Sequence, residues 1–339
     1  MAQVQNSIMA KPKPAPLPAH SVVGEYRVVR ALASGGSSIV YLATSADGQA
    51  VLLKEYLPGA LVHRVPGERL PLVRPGRLDR LRQGLHGFLD GARVLAQMQN
   101  PALASVLDCV QAHETVYLVL RHLQGHTLQE VIVAARSRAA AQASPGPCLS
   151  EALVLGLALD LLQAVSVVHA AGLLHLDIKP ANVLLTPQGQ LVLLDFDAVL
   201  PIPGHESVAV TLSREELPTA PAYTPGFSAP ETLASSSSVG PWTDLYAVGA
   251  CLYACLVGHP PPHCVGRAQD DLVPDTLGAL RATCSPALLQ AVEQALSLGL
   301  STRPASAQAM AEQLMPAAQS AASAASAAAR TAAPHKGLH

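Results

Sequence analysis

The spacing of apolar positions changes character part-way along the chain. Between Tyr26 and about Leu123 they come in short runs dense in β-branched and aromatic side chains: YRVVRAL from Tyr26, IVYLA from Ile39 and AVLLKEY from Ala50. Runs of this length and composition predict strands, and Ala46-Asp47-Gly48 between the last two is a hairpin turn signal. Residues 83–99 follow a different period, with Leu85, Phe88, Ala92, Leu95 and Met98 on one helical face. SVLDCV from Ser105 and TVYLVL from Thr115 complete an expected five-stranded antiparallel sheet with one helix.

From Leu128 onward the period is mostly helical. Residues 137–149 read as a Ser/Ala/Pro insertion, and Ser150 starts a long apolar helix reaching about Ala171. A hairpin turning at residues 187–189 follows, then several helices to about Leu314. The expected architecture is α+β and bilobal, with a small β-rich lobe at 24–123 and a larger helical lobe at 124–315. Residues 1–23, with KPKPAPLP, read as a Pro-rich disordered start, and 316–339 as an Ala/Ser-rich disordered tail.

Composition narrows the function classes. The 339 residues carry 22 Lys plus Arg against 24 Asp plus Glu, a net charge of −2, so the basic excess of a phosphate-neutralising nucleic-acid binder is missing. Half the residues are hydrophobic and 14% are charged, which supports a sizeable core and excludes global disorder. The apolar stretch 245–258 is short of the roughly 20 residues needed to span a bilayer and suits a buried helix. Ala152–Val168 is interrupted by Asp160 and Gln163. With no signal-peptide pattern, a cytoplasmic protein without a membrane span is expected. Six scattered cysteines argue against a disulfide framework. His259, His263 and Cys264 are either metal ligands or part of a Pro-rich surface turn, and no fourth ligand stands at zinc spacing. The arginines at 64, 69, 74, 77, 80 and 82 mark either a basic docking surface or a solvated loop over 57–82.

The chemistry concentrates in HLDIKPAN, from His175 to Asn182, and LLDFD, from Leu193 to Asp197. Asp177, Lys179 and Asn182 lie close together, and Asp195 arrives one hairpin later. Phosphoryl transfer asks for this set: an acid to orient a hydroxyl, a cation for the moving phosphoryl group, and oxygen ligands for Mg²⁺.

On these motifs the chain resembles the eukaryotic-like bacterial Ser/Thr protein kinases over roughly residues 24–315. HLDIKPAN is similar to the catalytic-loop motif, with Leu176 in place of its Arg, and LDFD to the metal-binding motif, with Asp197 in place of Gly. SAPE from Ser228 resembles the close of the activation segment, and Asp244 in WTDLYAVG the residue bracing the catalytic loop. Arg303 fits the late Arg that pairs with Glu231. The resemblance implies Asp177 and Lys179 as catalytic residues, and Asn182 and Asp195 as Mg²⁺ ligands. It further implies ATP contacts from a phosphate-covering loop carrying Ala33, Gly35, Gly36 and Val40, from Lys54, and from the main chain of Arg121 and Leu123. Leu120 would guard the back pocket. Lys179 points to the Ser/Thr subclass, and Thr224 to support of the substrate-facing loop.

The implied activity is transfer of the ATP γ-phosphoryl group to a protein Ser or Thr hydroxyl, at a slow rate. The chain departs from the pattern at Ala33, Ser38, Leu52, Gly91, Leu176 and Asp197. Gly91 replaces the helix glutamate that would pair with Lys54, and Asp90 is one residue out of phase. These departures leave open a pseudokinase that binds nucleotide or a partner. Because Leu176 cannot bind phosphate, phosphorylation at Thr211, Ser213 or Thr219 is expected to be dispensable.

Overall fold

The computed structural model describes residues 14–142, 146–203, 223–233 and 239–332, which fall into two compact units. The first contains 14–99 and 105–123; the second contains 100–104 and the described residues from 124 on.

In the first unit the chain forms β1 (Val22–Val23), β2 (Tyr26–Ser34), β3 (Ser38–Thr44), β4 (Ala50–Tyr56), the short strands β5 (Val62–His63) and β6 (Leu72–Val73), α1 (Leu78–Gln97), β7 (Val106–Ala112) and β8 (Thr115–Arg121). One antiparallel sheet takes the order β1-β2-β3-β4-β8-β7, so β4 is central between β3 and β8. Its side chains alternate between the two faces. Leu52, Lys54 and Tyr56 share the face that packs on α1, where Tyr56 meets Phe88 at 5.3 Å between ring centres. Val51, Leu53 and Glu55 take the other face, which packs with Ile39, Tyr41, Tyr117 and Val119.

That second face is covered, and its cover corrects two sequence expectations. Residues 14–23 are built into the unit: Leu17 is buried and donates its N–H to Tyr41 Oη at 3.1 Å, and Ala15 donates to the Arg64 carbonyl at 3.2 Å. The segment 57–77 is not a plain loop, because β5 and β6 form a hairpin and Arg64 points inward. Arg64 binds Glu55 in a two-pronged contact, at 2.6 Å and 3.0 Å, and both side chains have no exposed surface. Tyr41 and Tyr117 each donate to the same carboxylate at 2.6 Å. Burial pushes the Glu55 carboxyl up, and Arg64 and the two tyrosines pull it only part of the way back. Arg69, Arg77, Arg80 and Arg82 remain exposed.

The second unit runs β9 (His126–Thr127), α2 (Leu128–Gln142), α3 (Glu151–Ala170), β10 (Leu173–Leu174), β11 (Val183–Leu185), β12 (Leu191–Leu193), β13 (Leu200–Pro201), α4 (Pro241–Val257), α5 (Cys264–Arg267), α6 (Val273–Gly278), α7 (Pro286–Ala295) and α8 (Ala307–Ala332). Helix α3 packs on α8, and α4 on α3 and α7. Helix α4 is the buried apolar stretch expected from composition, sealed by Gly258 at φ +86°. Helix α3 is long and apolar enough to cross a membrane, with mean hydropathy 1.9, and half of that window is buried inside the protein.

Two helices outrun their expected ends. Helix α2 continues to Gln142, into the stretch read as an insertion, and α8 continues past Pro316 to Ala332, where a disordered tail was expected. Alanine needs no apolar stripe to favour helix, so periodicity is a poor guide there. Packing does fade along α8: among its described side chains, the last fully buried one is Leu314.

Candidate active site

Five of the expected residues converge within the second unit. Asp177 lies on the irregular segment after β10, and its carboxylate is held by three side chains. Lys179 Nζ stands 2.8 Å from both oxygens, Asn182 Nδ2 donates to Oδ2 at 2.9 Å, and Thr224 Oγ1 donates to Oδ1 at 3.2 Å. Lys179 also reaches Thr224 Oγ1 at 3.5 Å. Asn182 donates to the Asp177 carbonyl as well, at 2.9 Å, which fixes its amide and turns Oδ1 away from those bonds.

The hairpin of β11 and β12 brings in Asp195. Val183 pairs with Leu193, and the Leu194 N–H donates to the Asn182 carbonyl at 2.8 Å, so Asn182 and Asp195 flank the same end of the hairpin. Asp195 adopts φ +61° and accepts the Asp197 N–H at 3.3 Å, so the residue replacing glycine turns its backbone toward that carboxylate. An amide oxygen and a carboxylate are hard donors, few in number, and this set fits Mg²⁺, which keeps several of its waters. Among the described residues no cluster of three or more His, Cys, Asp or Glu could hold a metal ion.

Two supports lie beneath this group, and sequence reading gave only one of them a role. Asp244, fully buried on α4, accepts the N–H groups of His175 and Leu176 at 2.8 Å each and a bond from His169 Nε2 at 2.8 Å. Burial pushes its carboxyl up, but the His169 bond and the other donors prevail and hold it below the usual carboxylate range. These bonds stabilise Leu176 at φ +60°, a backbone region costly for a side chain of its size.

His175 is the support that was missed, although it heads the quoted motif. The Asp177 N–H donates to its Nδ1 at 3.3 Å, so its Nε2 carries the proton and donates to the Leu194 carbonyl at 3.1 Å. The ring thus ties the Asp177 loop to the Asp195 strand end, and burial keeps it neutral by lowering its pKa. Leu176 itself enters an apolar cluster with Leu174, Ala198 and Val239. Thr211, Ser213 and Thr219 lie outside the described residues.

The remaining expected residues belong to the first unit. Lys54 is 5% exposed on β4, in contrast with the solvent-facing lysine of an ordinary edge strand. Ala33 pairs with Val40 across a bulged β2–β3 hairpin whose turn holds Gly35 and Gly36. The Gly36 and Ser37 carbonyls accept N–H groups of Gly59 and Leu57, which tie the turn to the segment after β4. Gly91 lies on α1, and Asp90 pairs with Arg93 at 2.6 Å. Arg121 donates its N–H to the Ser105 carbonyl at 3.0 Å and pairs with Val51 across β4 and β8.

The protein kinase domain family matches residues 79–315, well over half of the chain. The chain belongs to the protein kinase family. It is 28% identical over 247 residues to the serine/threonine-protein kinase PknL of Mycobacterium tuberculosis, covering 73% of this chain and 52% of that protein. To the serine/threonine-protein kinase AfsK of Streptomyces coelicolor it is 28% identical over 241 residues, covering 71% of this chain and 25% of that protein. The chain therefore spans between a quarter and about half the length of these curated relatives. A solved structure described as the PpkA-294 apo form is 31% identical, with a TM-score of 0.67, and covers 88% of this chain and 99% of its own. The Glu231–Arg303 pair expected of the family is present, with oxygen–nitrogen distances of 2.6 Å and 3.0 Å.

Proposed function

We propose that the chain is a Ser/Thr protein kinase that transfers the γ-phosphoryl group of ATP to a protein hydroxyl, with Mg²⁺ as the metal. The observation that carries this reading is the Asp177 carboxylate, oriented by Lys179, Asn182 and Thr224 at once. Asp177 receives the acceptor hydroxyl and takes its proton as the bond from that oxygen to the γ-phosphorus forms and the bond from that phosphorus to the β-phosphate oxygen breaks, so that ADP leaves. Lys179, already beside that carboxylate, offsets charge developing on the transferred group. Asn182 and Asp195 would hold the metal, which would supply positive charge to offset that of the ATP phosphates. Lys54 positions the α- and β-phosphates, and the main chain of Arg121 and Leu123 orients adenine. Position 91 carries glycine where related kinases carry the helix glutamate, Ala33 and Ser38 stand where their phosphate-covering loop carries glycine, and a misplacement of the phosphates near 1 Å costs on the order of 10²-fold in rate. A turnover below roughly 1 s⁻¹ is expected, under the family's ordinary range.

The test is Asp177→Asn, assayed with radiolabelled ATP on dephosphorylated casein and by nucleotide titration. Phosphoryl transfer should fall by about 10²–10⁴-fold, while Mg²⁺-dependent ATP binding persists. Equal incorporation with and without Asp177 would remove the kinase reading and leave a binding module.

A further inference from the structure

Tyr223, next to Thr224, reaches away from Asp177 to a segment rich in proline. Its hydroxyl is hydrogen-bonded to His263 Nε2, with the rings 5.2 Å apart, and stands 3.8 Å from Cys264 Sγ. His263 Nδ1 accepts the Val265 N–H at 3.1 Å, so Nε2 is the protonated nitrogen and donates to the tyrosine oxygen. Burial and the Cys264 thiol push the phenol up, which keeps it protonated at neutral pH. A second contact lies three residues on. Gly226, at φ +84°, packs so closely that a Cβ there would stand 2.8 Å from the Pro261 carbonyl oxygen.

The far side of this contact is anchored. Arg267, at the end of α5, is buried, bonds Tyr246 Oη of α4 at 3.1 Å and pairs with Asp271 at 2.9 Å. Helix α4 also carries Asp244, which holds the Asp177 loop from below. The contacts therefore close a ring: Asp177 to Thr224, Tyr223 to His263, α5 to Tyr246, and α4 back through Asp244. Within the loop, the Thr224 N–H donates to Ser228 Oγ at 2.8 Å, and the Phe227 and Ser228 N–H groups both donate to the Thr224 carbonyl.

We infer that Tyr223 and His263 form a latch that positions the acceptor-facing loop, with His263 a positioning residue that acts on Asp177 through Thr224. This rests on the kinase reading above. The latch reaches Asp177 through Thr224, which bonds that carboxylate directly, so its effect falls on the acceptor and not on the nucleotide.

Two variants isolate the contact. Tyr223→Phe removes only the hydroxyl, and His263→Asn keeps a helix-capping acceptor for Val265 while losing the reach to Tyr223. The full chain is assayed on dephosphorylated casein, alongside amide hydrogen exchange over residues 223–233 and a melting curve. Each variant should lower kcat/KM for casein by about three- to tenfold, the scale of one hydrogen bond, with KM for ATP unchanged within twofold. Exchange at Thr224, Phe227 and Ser228 should quicken by a similar factor, and the double variant should match the singles, because both remove one contact. Additive losses, unchanged exchange, or KM for ATP rising in step with a general loss of stability would overturn the latch. If the unsubstituted chain transfers no phosphate while exchange responds as stated, the latch stands as the anchor of the loop and the kinase reading falls.

Discussion

Replacing Asp244 with Asn is the sharpest single probe of how the site is held. The carboxylate has no exposed surface and accepts three bonds, from His175 N–H, Leu176 N–H and His169 Nε2, each at 2.8 Å. An amide has one acceptor atom. Turned the better way, its oxygen keeps the two donors at Oδ2 and its NH₂ faces the Leu176 N–H. One charge-assisted bond is then lost, at about 1.5–3 kcal/mol, and a buried N–H is left unpaired at about 1–3 kcal/mol. The sum, near 4 kcal/mol, falls on a residue already held at φ +60°. At roughly 2–4 °C per kcal/mol for a unit of this size, Tm should drop by about 8–16 °C. Because Asp177 follows Leu176 directly, phosphoryl transfer at a temperature where the variant is still folded should also fall, on the order of 10²-fold. Differential scanning calorimetry with a radiolabelled-ATP assay measures both. A Tm within 2 °C of the parent, with unchanged rate, would refute the claim that Asp244 sustains the strained turn.

Three further outcomes follow from the same contacts. Arg64→Met should cost about 3–5 kcal/mol in urea unfolding by stranding the Glu55 carboxylate, and adding Glu55→Gln should recover part of it; strict additivity would deny the pair. His175 is neutral in the fold, with its pKa below the unfolded value near 6.5, so unfolding takes up a proton below that pH and stability is lost as pH falls from about 7 toward 5. His175→Gln should flatten the slope by at most 1.4 kcal/mol per pH unit, whereas Asp244, lowered from an ordinary carboxylate value, titrates below this window. Leu176→Arg, which restores the family's residue, should destabilise by several kcal/mol because it drives a guanidinium among Leu174, Ala198 and Val239; an unchanged Tm would show that the cluster admits the charge.

The strands, the order of the two units and the Asp177–Asn182–Asp195 group were legible because each depends on residues near one another in sequence. Alternation in Ala50–Tyr56 marks a strand wherever the rest of the chain goes, and Glu231 with Arg303 could be paired from motif order alone. The misses are long-range. Arg64 looks like any exposed arginine until Glu55, Tyr41 and Tyr117 are seen around one carboxylate, and nothing local says that position 64 faces inward. His175 carries no sign of its bridging role, which depends on the Leu194 carbonyl arriving from the next hairpin. Pro14–Ser21 read as loose because proline-rich composition describes an isolated segment, and the partners that order it come from β3 and the β5–β6 hairpin.

That last arrangement bears on synthesis. Residues 14–21 are synthesised before the elements they pack on, yet Leu17 needs Tyr41 and Ala15 needs Arg64. Glu55 has its full set of donors only once Tyr117 has emerged. Until then a carboxylate and an arginine destined for a dry interior are held in water by incomplete sheet, and the nascent first unit has no low-energy way to close. Residues 14–21 thus wait for β3 and the β5–β6 hairpin, Glu55 waits for β8, and a chaperone or a slow stretch of translation before β8 would act on this interval.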